Sequence, residues 1–133
     1  MAATGKPIEK RKFATPVDRD AVARDWRARG FGCEPFSDPP GRRWNDFRHA
    51  TNELVTVVEG KLELIVGGAT LVCGAGDEVF IPMGAVHSVR NVAPGITRWL
   101  YGYDRAAIAA ADGVTSARRA ASAPAASRAR ARR

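Results

Sequence analysis

The chain has 133 residues, a length that typically makes one domain, and its hydrophobic share of 45% can furnish a real core. Its formal charge of +7 is concentrated: Arg118, Arg119, Arg128, Arg130, Arg132 and Arg133 take six of the 21 basic residues, so residues 1–113 carry 15 basic against 14 acidic side chains and are nearly neutral. Two cysteines, Cys33 and Cys73, are too few for a disulfide scaffold, and the absence of a long apolar run or of a charged start followed by an apolar core argues against a membrane span or secretory signal, which makes the cytoplasm the expected location.

Residues 1–16 are polar, basic and interrupted by Pro7 and Pro16, the composition of an arm. Asp18 then offers an N-cap, Val22 and Trp26 fall i, i+4 on one face, and Gly30 can stop the turn, so one short amphipathic helix is predicted. Asp20 near its start and Arg27 and Arg29 near its end suit the helix dipole. From Phe31 the texture changes to strands and turns. Pro35, Pro39, Pro40 and Gly41 predict a loop ahead of an extended segment from Trp44 to Glu53.

The next residues read as a meander. Leu54 to Val58 is continuously apolar, Glu59-Gly60 makes a turn, and Leu62, Leu64 and Val66 alternate with other residues. Gly67-Gly68 is a hairpin signal of the primed-turn type, after which Leu71 to Cys73 returns. Gly74 to Asp77 turns, Glu78 to Ile81 pairs again, His87 to Val92 continues, and Arg98 to Tyr103 closes the series after Pro94-Gly95. Many short strands without helical crossovers exclude a parallel sheet and predict an all-β fold, here a small closed antiparallel barrel over residues 17–113. Arg105 to Ala111 can form a short alanine-rich helix. Residues 114–133 have almost nothing to bury and are expected to be a disordered, basic tail. Such a tail can make weak phosphate contacts with nucleic acid, though no aromatic residue is interleaved for base stacking. The RRAAS stretch at 118–122 has the form of a basophilic kinase site.

The chemistry concentrates on three residues. Side chains alternate along a strand, so Phe47, His49 and Glu53 can face one interior, and His87, after the tight Pro82-Met83-Gly84 turn, can be brought alongside them. Two imidazoles and one carboxylate with open positions suit a borderline or harder divalent metal, and the set is the non-haem iron pattern. A single inward histidine is more often a hydrogen-bonded core group; the joint placement of three donors is what favours a metal. Asn91 and Gly84 read as structural, and Cys33 and Cys73 as ordinary thiols. Trp44, Trp99, Tyr101 and Tyr103 serve either as core or as a pocket wall.

Two segments carry a family resemblance. Residues 41–60, GRRWNDFRHATNELVTVVEG, resemble the first motif of the cupin superfamily, with Gly41, His49, Glu53 and Gly60 at their marker places and Phe47 where that motif has its first histidine. Residues 76–91, GDEVFIPMGAVHSVRN, resemble the second, with Gly76, Pro82, Gly84, His87 and Asn91 in place. The resemblance covers roughly residues 31–104 and extends to small single-domain bacterial cupins sharing HSVRN followed by RWLYGY. It implies a double-stranded β-helix, or jelly roll. Cupins with the full set bind metal through three histidines and one glutamate, which here reduces to His49, Glu53 and His87.

An enzyme of this kind would hold Fe, Mn, Ni or Zn on His49, Glu53 and His87 and act on a small molecule as a dioxygenase or isomerase, with Glu53 available as a catalytic base. The expected substrate pocket is Phe47, Arg48, Trp99 and Tyr101, with Arg48, Arg90 and Arg98 as anion holders. A binding module or sensor would use the same barrel without turnover. A homodimer is the expected assembly.

Overall fold

The structure, a computed structural model, describes residues 7–104; the expected helix at 105–111 and the tail at 114–133 lie outside those residues. Helix α1 spans Arg19–Ala28. It begins where the Asp18 carboxylate accepts hydrogen bonds from the backbone N–H groups of Asp20 and Ala21, at 2.9 and 3.3 Å, satisfying donors that the first turn leaves orphaned. Gly30, at φ +90°, ends it in a conformation that costs glycine little. Val22 and Trp26 are fully buried against the sheet below, which contributes on the order of 4 kcal/mol.

Among the described residues nine strands surround that helix in sequence: β1 (Ile8–Glu9), β2 (Glu34–Asp38), β3 (Arg43–Phe47), β4 (Glu53–Glu59), β5 (Lys61–Val66), β6 (Ala69–Gly74), β7 (Glu78–Ile81), β8 (His87–Asn91) and β9 (Thr97–Tyr103). They form two antiparallel sheets, one ordered β1-β7-β4-β9-β2 and the other β3-β8-β5-β6. Strand β4 is central in the first sheet, and its apolar run has a double purpose. Val55 and Val57 face the second sheet with Leu62, Leu64, Val66, Cys73, Val79, Ile81, Val89 and Trp99, whereas Leu54 faces outward beneath α1 with Val22, Trp26, Phe31 and Leu100. A strand buried on both faces has no polar side to alternate, hence the continuous apolar sequence.

The β5–β6 hairpin turns on Gly67 and Gly68, both at positive φ (55° and 88°), as a primed turn requires. Gly60, between β4 and β5, sits at φ +107°, and a Cβ there would collide with the side chain of Thr97. That threonine accepts a hydrogen bond from the Lys61 N–H at 3.0 Å, so the closing glycine of the first motif lets two strands meet.

The structure corrects the sequence reading in several places. Residues 34–38 form β2 rather than a loop. Pro35 is tolerated because β2 is an edge strand, where a missing N–H costs no ladder bond. Within the stretch expected as an arm, Ile8 and Glu9 pair with Val79 and Glu78 and lengthen the first sheet. The extended run foreseen from Trp44 to Glu53 breaks after Phe47, and residues 48–52 are not strand. Among the described residues the sheets remain separate ladders, linked by an isolated bridge between Val57 and Ala75, so the barrel is a two-sheet jelly roll.

Candidate metal centre

Glu53 opens β4 in the first sheet and His87 opens β8 in the second, so both strands deliver a donor to the same end of the space between the sheets. His49 comes from the irregular segment before β4. It is not placed there by strand alternation, which does not operate across residues 48–52; the Pro82-Met83-Gly84 turn holds it instead. The Gly84 N–H donates to the His49 carbonyl at 2.9 Å and the Met83 N–H donates to Asn52 Oδ1 at 2.8 Å. Glycine at 84, with φ +81°, allows that turn.

The three side chains offer ligand atoms that all lie within 4.8 Å of one another and can hold a metal ion. His49 Nε2 and His87 Nε2 stand 3.6 and 3.5 Å from Glu53 Oε1. His87 Nδ1 lies 3.2 Å from the Ala85 carbonyl. A carbonyl can only accept, so that contact protonates Nδ1 and leaves the Nε2 lone pair directed at the glutamate. Burial pushes the His49 imidazole down to about 4, aided by the neighbouring His87, and lowers His87 as well. The same desolvation pushes the Glu53 carboxyl up to about 8. The metal-free triad is therefore uncharged at neutral pH, and its close approaches are not ion pairs. Glu53 Oε1 is buried with no hydrogen-bond partner. An unpartnered buried oxygen facing two imidazole nitrogens fits a divalent cation, which would favour the ionised carboxylate and the unprotonated rings together.

A cavity of about 30 Å3, open to solvent at its mouth, adjoins the triad. Its wall is aromatic: Phe36, Trp44, Phe47, Trp99, Tyr101 and Tyr103, with Val89. Trp99, Tyr101 and Tyr103 alternate inward along β9, and Tyr103 stands opposite Glu53 in register. Trp44 and Phe47 are three residues apart and would face opposite sides of a regular strand. A bulge between them, with Asp46 at φ +57° and its N–H bonded to Ser88 Oγ at 2.9 Å, turns both inward. Beneath the wall lies Asp38, fully buried, which accepts from the indole N–H groups of Trp44 (3.0 Å) and Trp99 (3.1 Å). Burial raises its carboxyl while those two hydrogen bonds oppose the rise.

Of the expected pocket residues, Phe47, Trp99 and Tyr101 line the cavity with the triad, and Arg48 does not. It is exposed, because the chain has left the strand by residue 48. Arg90 faces outward and pairs with Glu63 at 3.2 Å, and Arg98 is likewise outside the lining. Phe47 stacks on His49 with ring centroids 6.1 Å apart and stands 6.0 Å from His87, so an apolar ring faces the centre where a further imidazole would otherwise point. Phe36, Val89 and Asp38 were not singled out from the sequence. Phe36 and Val89 owe their position to strand pairing, which no local pattern announces, and Asp38 sat among prolines that read as loop.

Two facing antiparallel sheets with histidine and glutamate side chains converging at one end define a jelly-roll protein with an internal group that could hold a metal. The chain belongs to the cupin family: residues 36–103 match the Cupin domain family. No curated protein matches the sequence. Among solved structures, the chain resembles the cupin domain of Cnp3 from Schizosaccharomyces pombe (18% identity, TM-score 0.53, 56% of each chain covered). It also resembles an oxalate oxidase (21%, 0.52, 56% of this chain and 42% of that one). A third is salicylate 1,2-dioxygenase from Pseudoaminobacter salicylatoxidans (20%, 0.54, 62% of this chain and 22% of that one). At such identities the likeness is one of fold, and the matched region spans between a fifth and somewhat over half of those chains.

Proposed function

We propose that the chain is a metal-dependent cupin that acts on a small molecule, with His49, Glu53 and His87 holding one divalent ion and a reaction of dioxygenase or isomerase type. The observation that carries this reading is the buried, unpartnered Oε1 of Glu53 between two imidazole nitrogens. The fold is shared with proteins described as an oxalate oxidase and a salicylate dioxygenase, which supports the reaction class. When bound, iron, manganese, nickel or zinc supplies a Lewis acid and, for iron, a partner for dioxygen.

The chain's own residues do the remainder. His87, fixed through the Ala85 carbonyl, keeps one nitrogen unprotonated for ligation. The aromatic wall excludes water from the inner end and presents flat apolar surface to a ligand. In an alternative role, ionised and off the metal, Glu53 is the group that would take a proton from a bound molecule. Phe47 favours a second reading, a small-ligand binder or sensor without turnover, since it narrows the donor set to three. We place either protein in the cytoplasm as a homodimer, with the basic tail making weak nucleic-acid contacts.

Elemental analysis of protein purified without chelators or an affinity tag tests the centre. One equivalent of a divalent metal is expected, and His87→Ala is expected to lose it, because two remaining donors hold a labile ion poorly. Stoichiometric metal surviving that substitution overturns the assignment. A ligand recovered unchanged from the metal-loaded protein in air decides for the binder.

A further inference from the structure

The cavity wall has a composition that bears on what it can accept. Six aromatic rings form it, the two imidazoles and Glu53 close its inner end, and among the described residues no lysine or arginine lines it. Nearby cations are committed elsewhere. The Arg42 guanidinium lies over the Trp44 ring, 5.1 Å from its centroid, and Arg90 pairs with Glu63 at 3.2 Å. Arg48 is exposed and lies outside the lining.

Charge counting then limits the ligand. A divalent ion with ionised Glu53 leaves one net positive charge at the inner end, so one negative charge on a ligand is neutralised there. A second would lie buried among rings with no cation to meet it, and an unpaired buried charge is costly. The rings reward flat apolar surface, because aromatic pairs gain beyond their buried area when offset or edge to face. Phe36 already meets Trp44, Trp99 and Tyr101 edge-on at 5.8, 5.5 and 6.3 Å, leaving a lining built of ring faces and edges.

We infer that the physiological ligand is a small aromatic or comparably flat apolar molecule carrying at most one negative charge, and that small dicarboxylates are excluded. The charge limit rests on the metal-binding reading above. The preference for a ring rests on the wall alone.

Three probes separate these limbs on the metal-loaded protein, by calorimetric titration with metal content measured on the same sample: benzoate, acetate and benzene-1,3-dicarboxylate. Benzoate and acetate share one head group and differ by the ring, and the dicarboxylate adds one charge placed too far from the first to chelate. Benzoate is expected to bind at least about tenfold tighter than acetate. It should also bind at least about tenfold tighter than the dicarboxylate. Acetate or the dicarboxylate binding as tightly as benzoate overturns the inference. On metal-free protein, neutral benzamide should still outbind acetamide, and equal binding there also overturns it. Absence of metal together with a retained preference for benzamide overturns the metal reading and leaves the ring preference standing. As a control on location, Phe47→Ala should lower affinity for benzoate more than for acetate; an equal loss of both sinks the placement of the ring against Phe47.

Discussion

Glu53 and Glu78 lie on β4 and β7, which pair side by side in one sheet, and they are 5% and 7% exposed. They point to opposite faces of it. Glu78 sits under helix α1 and is fully engaged: the Trp26 indole N–H donates to it at 2.9 Å, the Arg29 guanidinium at 2.6 Å, and the Lys12 ammonium lies at 3.4 Å. Glu53 faces the other sheet and has an oxygen with no partner at all. Equal burial thus accompanies opposite chemistry. On the outer face a carboxylate is matched by protein cations and ties the helix and the N-terminal segment to the sheet, while on the inner face it is left for something the chain does not itself provide.

The sharpest way to break that comparison is Glu53→Gln, which removes the charge and keeps the shape. Below about pH 4.5 the wild-type carboxyl is protonated folded and unfolded alike. Between there and about 8 the unfolded chain releases the proton and the folded chain holds it, so metal-free stability falls as pH rises. Glu53→Gln should lose the metal and, in chelator at pH 7, gain on the order of 3 kcal/mol by denaturant titration. No gain would mean that Glu53 is satisfied in the free protein. His49 works in the other direction: its imidazole, lowered to about 4, costs stability as pH falls below 6.5. His87, lowered by burial too, adds to this, so the metal-free protein should lose stability both as pH falls below about 6 and as it rises toward 8.

Next in size, Glu78→Ala strands a buried indole N–H and two cations, and should cost on the order of 2 kcal/mol while metal content stays at wild type. Loss of metal on that substitution would show that the two faces are not independent. Phe47→His adds an imidazole to the inner end and should raise nickel or zinc affinity about tenfold, read by chelator competition. Unchanged affinity would mean that the added ring does not reach the ion. The smallest effect belongs to residues 114–133, remote from both glutamates in sequence. Deleting their six arginines should leave melting temperature and metal content nearly unchanged and abolish most retention on immobilised nucleic acid. A large drop in melting temperature would show that the segment docks on the domain.

What could be read in the sequence was local chemistry. Asp18, Val22, Trp26 and Gly30 announced the helix, and Gly67-Gly68 the hairpin, because caps and primed turns demand particular residues at fixed offsets. His49, Glu53 and His87 were legible through motif spacing, though the reason given for His49, strand alternation, was replaced by two hydrogen bonds from the turn at 82–84. Partnerships across long separations were not legible. Ile8 against Val79, Asp38 beneath two indoles and Phe36 opposite Trp99 arise from sheet order, which leaves no local periodicity. Arg48 was expected in the pocket although an alternation that turns Phe47 and His49 inward would send the residue between them outward, and it is exposed.

The three tryptophans divide between the same two regions. Trp44 and Trp99 are clamped by a single carboxylate, Asp38, in the cavity wall, and Trp26 is bonded to Glu78 under the helix. Each indole is held at its nitrogen in a fixed orientation, so the protein carries two separate optical reporters. Ligand entry should alter the emission of Trp44 and Trp99 and leave Trp26 as an internal reference, and undocking of the helix should do the reverse. Variants that keep only Trp26 or only Trp99 can therefore follow helix docking and cavity occupancy separately, by intrinsic fluorescence and without an added dye.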